Sequence, residues 1–183
     1  MKIEKSMSYK IEPPKLNIGC GHKTANGFTN VDIAPNIVLD AIVDIDHDQL
    51  PFKSGSQNAV LASHVIEHVG HLEFVMEEIH RVLKIDGILE VYVPYGRNRA
   101  FNHVRFFWKN GPREIGNVRS KPDSELLPWK LILNEISMRS LPYPWHLQRY
   151  LHINPNVGKA RELHFILQKI TNQEFEFRWK WST

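Results

Sequence analysis

Apolar residues in this chain come in short runs cut by Gly, Pro, Asn and Asp. Leu16 and Ile18 lie in a first run, about Lys15–Ile18, and others follow at 28–33, 41–44 and 58–63. Runs of this length between turn residues predict strands. From Leu72 the spacing changes. Leu72, Val75, Met76, Ile79, Val82 and Leu83 recur at three and four residues, the stripe of an amphipathic helix packed on a core. Gly87 is the expected stop, and Lys84 suits the carbonyls at the helix end. Residues 88–93 return to strand character and close on Pro94.

Beyond Pro94 the pattern is mixed. Residues 103–108 are expected to open a helix, 129–136 to form a strand and 160–170 a helix. Pro142 and Pro144 make 141–145 irregular. At 174–181, Phe175, Phe177, Trp179 and Trp181 alternate with Glu174, Glu176, Arg178 and Lys180, which predicts a half-buried strand. The early connections carry a tension. Parallel strands need crossovers of a dozen residues or more, yet the first two gaps, 22–27 and 34–40, hold single turns at most. That half of the sheet then needs another cover: the arm at 1–14, the aromatic C-terminal segment, or a second subunit in a homodimer.

Composition narrows the class. With 183 residues and 42% hydrophobic content, the chain can bury one sizeable core. We expect an N-terminal arm at 1–14 and one domain at 15–183, with acceptor-side insertions within 95–173. No apolar stretch approaches the ~20 residues of a membrane span, and the N-terminus lacks a signal-peptide core. The single cysteine, Cys20, fits a reducing, cytoplasmic setting. Residues 1–93 carry 8 Lys+Arg against 13 Asp+Glu, and residues 94–183 carry 15 against 7. A solvated surface accounts for this asymmetry. A basic half also suits an anionic partner: a nucleotide sugar, a phosphorylated glycan or RNA.

The chemistry starts at Leu16-Asn17-Ile18-Gly19-Cys20-Gly21, with Val31-Asp32-Ile33 close behind. A glycine turn after a strand lets a ligand approach the backbone, and an acid at the tip of the next strand can take both ribose hydroxyls. Then come Asp44, Leu50-Pro51-Phe52, the run 58–63, His64-Val65-Ile66-Glu67-His68, the helix with Glu77-Glu78-Ile79-His80-Arg81-Val82-Leu83-Lys84, and Asp86-Gly87 before the strand 88–93. In this order and spacing, about residues 15–108 resemble the class I S-adenosylmethionine (SAM) methyltransferases. They are most similar to small methyltransferase-11-like proteins, several of them associated with polysaccharide biosynthesis.

The resemblance implies a Rossmann-like α/β fold with a mostly parallel sheet, an antiparallel C-terminal strand and reduced helices between the first three strands. It implies SAM as cofactor. Asn17, Gly19, Cys20 and Gly21 would meet its methionine end and ribose, Asp32 the ribose hydroxyls, Asp44 and the Ile45 amide the adenine edge, and Ile33 the ring face. Ser63 and His64 would stand beside the methionine. Asn17 replaces the family's usual acid, and Lys23 its third glycine.

His64, Glu67, His68 and His103 are the candidate catalytic groups. His103 lies in a His-x-Arg-Phe stretch that borders the acceptor in the polysaccharide-linked proteins. The 64–68 segment also matches H-x-x-E-H, a zinc-peptidase motif that needs a helix. Small-RNA 2′-O-methyltransferases hold Mg²⁺ with a similar cluster, but have glutamate where this chain has His64. Mg²⁺ prefers oxygen ligands, so no metal is expected. The reading is methyl transfer from SAM to a small-molecule or glycan-like acceptor, at oxygen. An RNA 2′-O-methyltransferase is the enzymatic alternative, and a non-catalytic SAM- or S-adenosylhomocysteine-binding partner subunit the other.

Overall fold

A computed structural model describes residues 6–35, 39–96, 103–108, 110–116, 128–140 and 159–174. Its strands are β1 (Lys15–Ile18), β2 (Thr29–Asp32), β3 (Ala41–Ile42), β4 (Gln57–Ser63), β5 (Leu83–Pro94), β6 (Trp129–Ser140) and β7 (Lys159–Lys169). The α-helices are α1 (Leu72–Val82) and the short α2 (Gly111–Gly116). The strands form one sheet in the order β3-β2-β1-β4-β5-β7-β6. The first five are parallel, and β7 runs antiparallel to both β5 and β6. This is the Rossmann-like, mostly parallel sheet with an antiparallel C-terminal part that the sequence predicts.

Among the described residues no helix joins β1 to β2 or β2 to β3, so the two faces of the sheet are covered differently. α1 packs Leu72, Val75, Met76, Ile79 and Val82 against Leu16, Ile18, Val60, Ala62, Leu89, Val91 and Phe165, all in one core. Lys169 donates from Nζ to the carbonyls of His80 and Leu83 at 2.7 and 2.8 Å, so a lysine of β7 caps the end of α1. Beside it His80 is half-buried near that ammonium. Burial first and Lys169 second push its imidazole down to about 4.

The other face is covered by the arm and the 19–28 loop. Ile11 packs on Ala59, Ile88 and Ile166, and Ala25 and Phe28 on Leu61 and Tyr92. Asn58 ties the arm down. Its amide donates to Pro14 O at 2.8 Å and its side chain to Glu12 O and Pro13 O. At the centre lies the fully buried Glu90. It accepts from the amides of Met7 and Ser8, from Tyr92 Oη at 2.8 Å and from His164 Nε2 at 2.9 Å. Burial alone would raise its pKa, but the bonds from His164, Ser8 and Tyr92 prevail and hold it at about 2.

Three local readings are corrected. The helix ends at Val82 and Leu83 already belongs to β5, paired with Gln57. Lys84 and Gly87 therefore lie in the irregular start of a strand. The register jumps from Gln57↔Leu83 to Ala59↔Ile88, and Gly87 is required because a Cβ there would stand 2.9 Å from Lys84 O and 3.3 Å from Asn58 O. Residues 160–170 form β7, not a helix, because Leu163, Phe165 and Leu167 face the α1 core while Ile166 faces the arm. Residues 103–108 contain no helix. Phe107 bridges Tyr95 and Gly96, and the amides of Val104 and Arg105 donate to Glu67 O. The irregular 141–145 segment lies outside the described residues, as does the 174–181 strand beyond Glu174. Among the described residues no helix is long and apolar enough to cross a membrane.

Glu90→Gln should lower unfolding stability near pH 7 by about 2 kcal/mol, since it removes a charged acceptor from several buried donors. The Glu90 carboxyl has a depressed folded pKa, so its contribution is complete above its unfolded value near 4.5 and fades toward 2. The gap between wild type and variant in urea titrations should therefore shrink as pH falls through that window. A gap independent of pH would refute the ionised role.

Candidate functional site

The order β2-β1-β4 places a topological switch between β1 and β4, which leave the centre of the sheet in opposite senses. Ligand crevices in open α/β sheets form outside the carboxyl ends of strands at such points. Three turns meet there: 19–21 after β1, 33–35 after β2 and 64–68 after β4.

The first turn is built for close approach. Gly19 and Gly21 have φ of +57° and +52°, values that disfavour a Cβ. A Cβ on Gly19 would fall within the Val65 side chain, standing 2.6 Å from its Cβ. A Cβ on Gly21 would meet nothing within 4 Å, so that backbone borders open space. Asp32 accepts from Gly21 N at 2.7 Å and from Ala34 N at 2.9 Å, clasping the glycine turn to the loop after β2. Ile33 and Ile42, at the tips of β2 and β3, are 60% and 64% exposed. An acid flanked by two solvent-facing aliphatic side chains beside an open glycine turn fits a nucleoside: hydroxyls to the acid, a flat ring to the apolar pair.

The remaining cofactor candidates are placed as follows. Asn17 is buried on the arm face and donates to Asn30 Oδ1 at 2.9 Å and Lys23 O at 3.2 Å, bracing the 19–25 loop from below. Cys20 is buried, and burial followed by the nearby Asp32 carboxylate pushes its thiol up, which suits a structural thiol. Asp44 caps its own turn, accepting from Asp46 N at 3.0 Å and contacting His47 Nδ1 at 3.0 Å. Ile45 packs against the α1 core. Ser63 ends β4, half-buried.

The turn after β4 carries the polar groups. His64 has φ of +57°, unusual for a residue with a Cβ. Its Nε2 lies 2.7 Å from Glu162 Oε2 and its Nδ1 3.4 Å from Glu67 Oε1. Burial would lower its pKa, but the two carboxylates outweigh burial and raise it. The ring spans from β7 to the turn, held through Nε2 to Glu162. Residues 66–68 form one turn of 3₁₀ helix, so His64 and His68 do not share a helix face and the zinc-peptidase arrangement is absent. His68 and His103 lie edge to face with ring centroids 4.8 Å apart, and the Glu67 side chain is 1% exposed. The structure thus gathers all four catalytic candidates. It adds Glu162, missed because β7 read as a helix. Read with period two, 162–168 would have set Glu162 and His164 on one face.

Residues 16–91 match Methyltransf_11, a methyltransferase domain family. No curated protein sequence matches the chain. Solved structures share the fold. The YcgJ protein of Bacillus subtilis is similar at a TM-score of 0.59 and 13% identity, over 88% of this chain and 93% of that one. A SAM-dependent methyltransferase of Methanosarcina mazei is similar at 0.53 and 15%, over 86% and 92%. TehB of Haemophilus influenzae is similar at 0.59 and 12%, over 88% of this chain and 59% of its own.

The two glycines should differ on substitution. Gly21→Ala should cost about 1–2 kcal/mol, the strain of a left-handed Cβ. Gly19→Ala should cost more, since it also overlaps Val65, and Val65→Ala in the same chain should recover part of the loss. Equal losses in denaturant melts, or no recovery, would contradict the packing of the two turns.

Proposed function

We propose that this chain, which carries a SAM-dependent methyltransferase domain, transfers the methyl group to an oxygen of a small-molecule or glycan-like acceptor. The observation that carries the cofactor side is the Asp32 clasp: a carboxylate at the tip of β2 joined to the Gly21 amide, with Ile33 and Ile42 exposed beside it. When bound, SAM supplies a methyl already activated on a sulfonium, so the protein's work is positioning and exclusion of water.

In this reading Asp32 takes the ribose hydroxyls and Ile33 lies against the adenine. Asp44 and the Ile45 amide stand at its edge. Gly19, Cys20 and Gly21 pass their backbone beneath the methionine moiety, with Asn17 holding that loop in shape. Ser63 and His64 border the far end. The acceptor then stands against the 64–68 turn and His103, whose polar groups orient its hydroxyl for in-line attack. With SAM bound, the acceptor oxygen would take the methyl as the C–S bond gives its electron pair to sulfur, and the hydroxyl proton would pass to a base of this cluster, His64 or His103. The His-x-Arg-Phe stretch at 103–106, by its likeness to the polysaccharide-linked proteins, favours a glycan-like acceptor.

S-adenosylhomocysteine should bind with a micromolar Kd, about −8 kcal/mol, by calorimetry. Asp32→Ala should weaken it by roughly 1–3 kcal/mol, and Asp32→Asn, which keeps an acceptor oxygen, by less. Release of S-adenosylhomocysteine should then be assayed against sugar, small-hydroxyl and RNA acceptors. No binding by the wild type would remove the cofactor site. Turnover confined to RNA would replace the proposed acceptor.

A further inference from the structure

We propose that Glu67, His68 and His103 form a site for one divalent transition-metal ion of the Zn²⁺ or Co²⁺ type. The argument starts from the carboxylate. Glu67 is buried, and among the described residues neither of its oxygens accepts a hydrogen bond. A buried carboxylate without donors is costly unless a cation answers it. Three imidazoles surround it. His64 is committed through Nε2 to Glu162 and stands 3.4 Å from Glu67 Oε1, too long for a firm hydrogen bond. His68 Nε2 is 4.0 Å from the same oxygen. One donor atom each from Glu67, His68 and His103 lies within 4.8 Å of the other two. Ligands bound at about 2.0–2.2 Å to a common ion stand roughly 3–4 Å apart, so small side-chain adjustments close the set.

The backbone around the site is already organised. Val104 N and Arg105 N donate to Glu67 O, and the Arg105 guanidinium donates to Val69 O and Gly70 O. These bonds hold His103 over the 64–68 turn. Glu162 fixes the His64 ring at 2.7 Å, and that ring stands beside Glu67 at 3.4 Å. His68 and His103 are half-buried, which leaves an entry path. Two imidazoles and one carboxylate suit Zn²⁺ or Co²⁺, whereas Mg²⁺ and Ca²⁺ prefer oxygen. Three protein ligands also leave a coordination position open.

A second cluster, Asp46, His47 and His71, has similar spacing and serves as the control. Its histidines are exposed, and Asp46 already accepts from the amides of Gly70 and His71.

The full chain, stripped with chelator and freed of it, should be titrated with Co²⁺ by visible absorption and with Zn²⁺ by calorimetry. One equivalent should bind, and thermal melts should move up with the metal. His68→Ala and His103→Ala should each weaken binding at least tenfold, while His71→Ala leaves it unchanged. Metal-free melts and S-adenosylhomocysteine calorimetry on the same samples report folding and the cofactor site independently. Because Glu67 is buried and its variant could misfold, the half-exposed His103 carries the test. Absence of saturable binding would overturn the site. So would binding that survives His103→Ala in a folded protein, loss of binding in His71→Ala, or displacement of Co²⁺ by equimolar Mg²⁺.

Discussion

A mostly parallel sheet must be covered on both faces, and among the described residues this chain has a substantial helix for only one. That constraint organises the molecule. Parallel strands are normally joined by helices that dress the sheet. Here the connections from β1 to β2 and from β2 to β3 are loops among the described residues, so the second face is dressed by the arm and by the 19–28 loop. Backbone in such covers brings polar groups into the interior, and each must find a partner. Glu90 answers the amides of Met7 and Ser8. Asn30 answers Ala25 and Phe28. The buried polar residues on this face are thus the counterpart of the missing helices.

The same economy shapes the candidate site. Without a helix after β1, no helix N-terminus stands behind the glycine turn. Asp32 is instead bonded to that turn directly, and Val65 closes against Gly19. The crevice at the strand ends is therefore defined by two side-chain clasps rather than by a helix dipole, and its shape depends on the turn that also carries His64, Glu67 and His68. The glycine turn and the 64–68 turn are mechanically one unit.

The first ninety residues were largely legible because their signals are local. Strand runs, the stripe of α1 and the glycine turn each declare themselves within a few residues. Leu83 misled because it extends the helical stripe and also pairs with Gln57. Residues 160–170 misled for another reason. Leu163, Phe165, Ile166, Leu167 and Ile170 are all buried, and a strand covered on both faces loses the alternation that distinguishes it from a helix. At the site, Gly19, Gly21 and Asp32 could be placed from spacing. Glu162 beside His64, and His103 over Glu67, could not, because those meetings are made by chain segments far apart in sequence.

The strand order carries a consequence for the time course of folding. β7 sits between β5 and β6, and among the described strands it is the only partner of β6. A ribosome delivers β6 before β7, so β6 emerges as a strand with nothing to pair with. β5 likewise waits for Phe165 and Ile166 to complete its far edge, and Glu90 waits for His164. Pairings of such sequence separation form slowly. Leu131, Ile132 and Ile136, exposed even in the finished sheet, stay uncovered throughout that interval. The interval before β7 is made, when aggregation competes with closure, is the vulnerable moment in this protein's biogenesis.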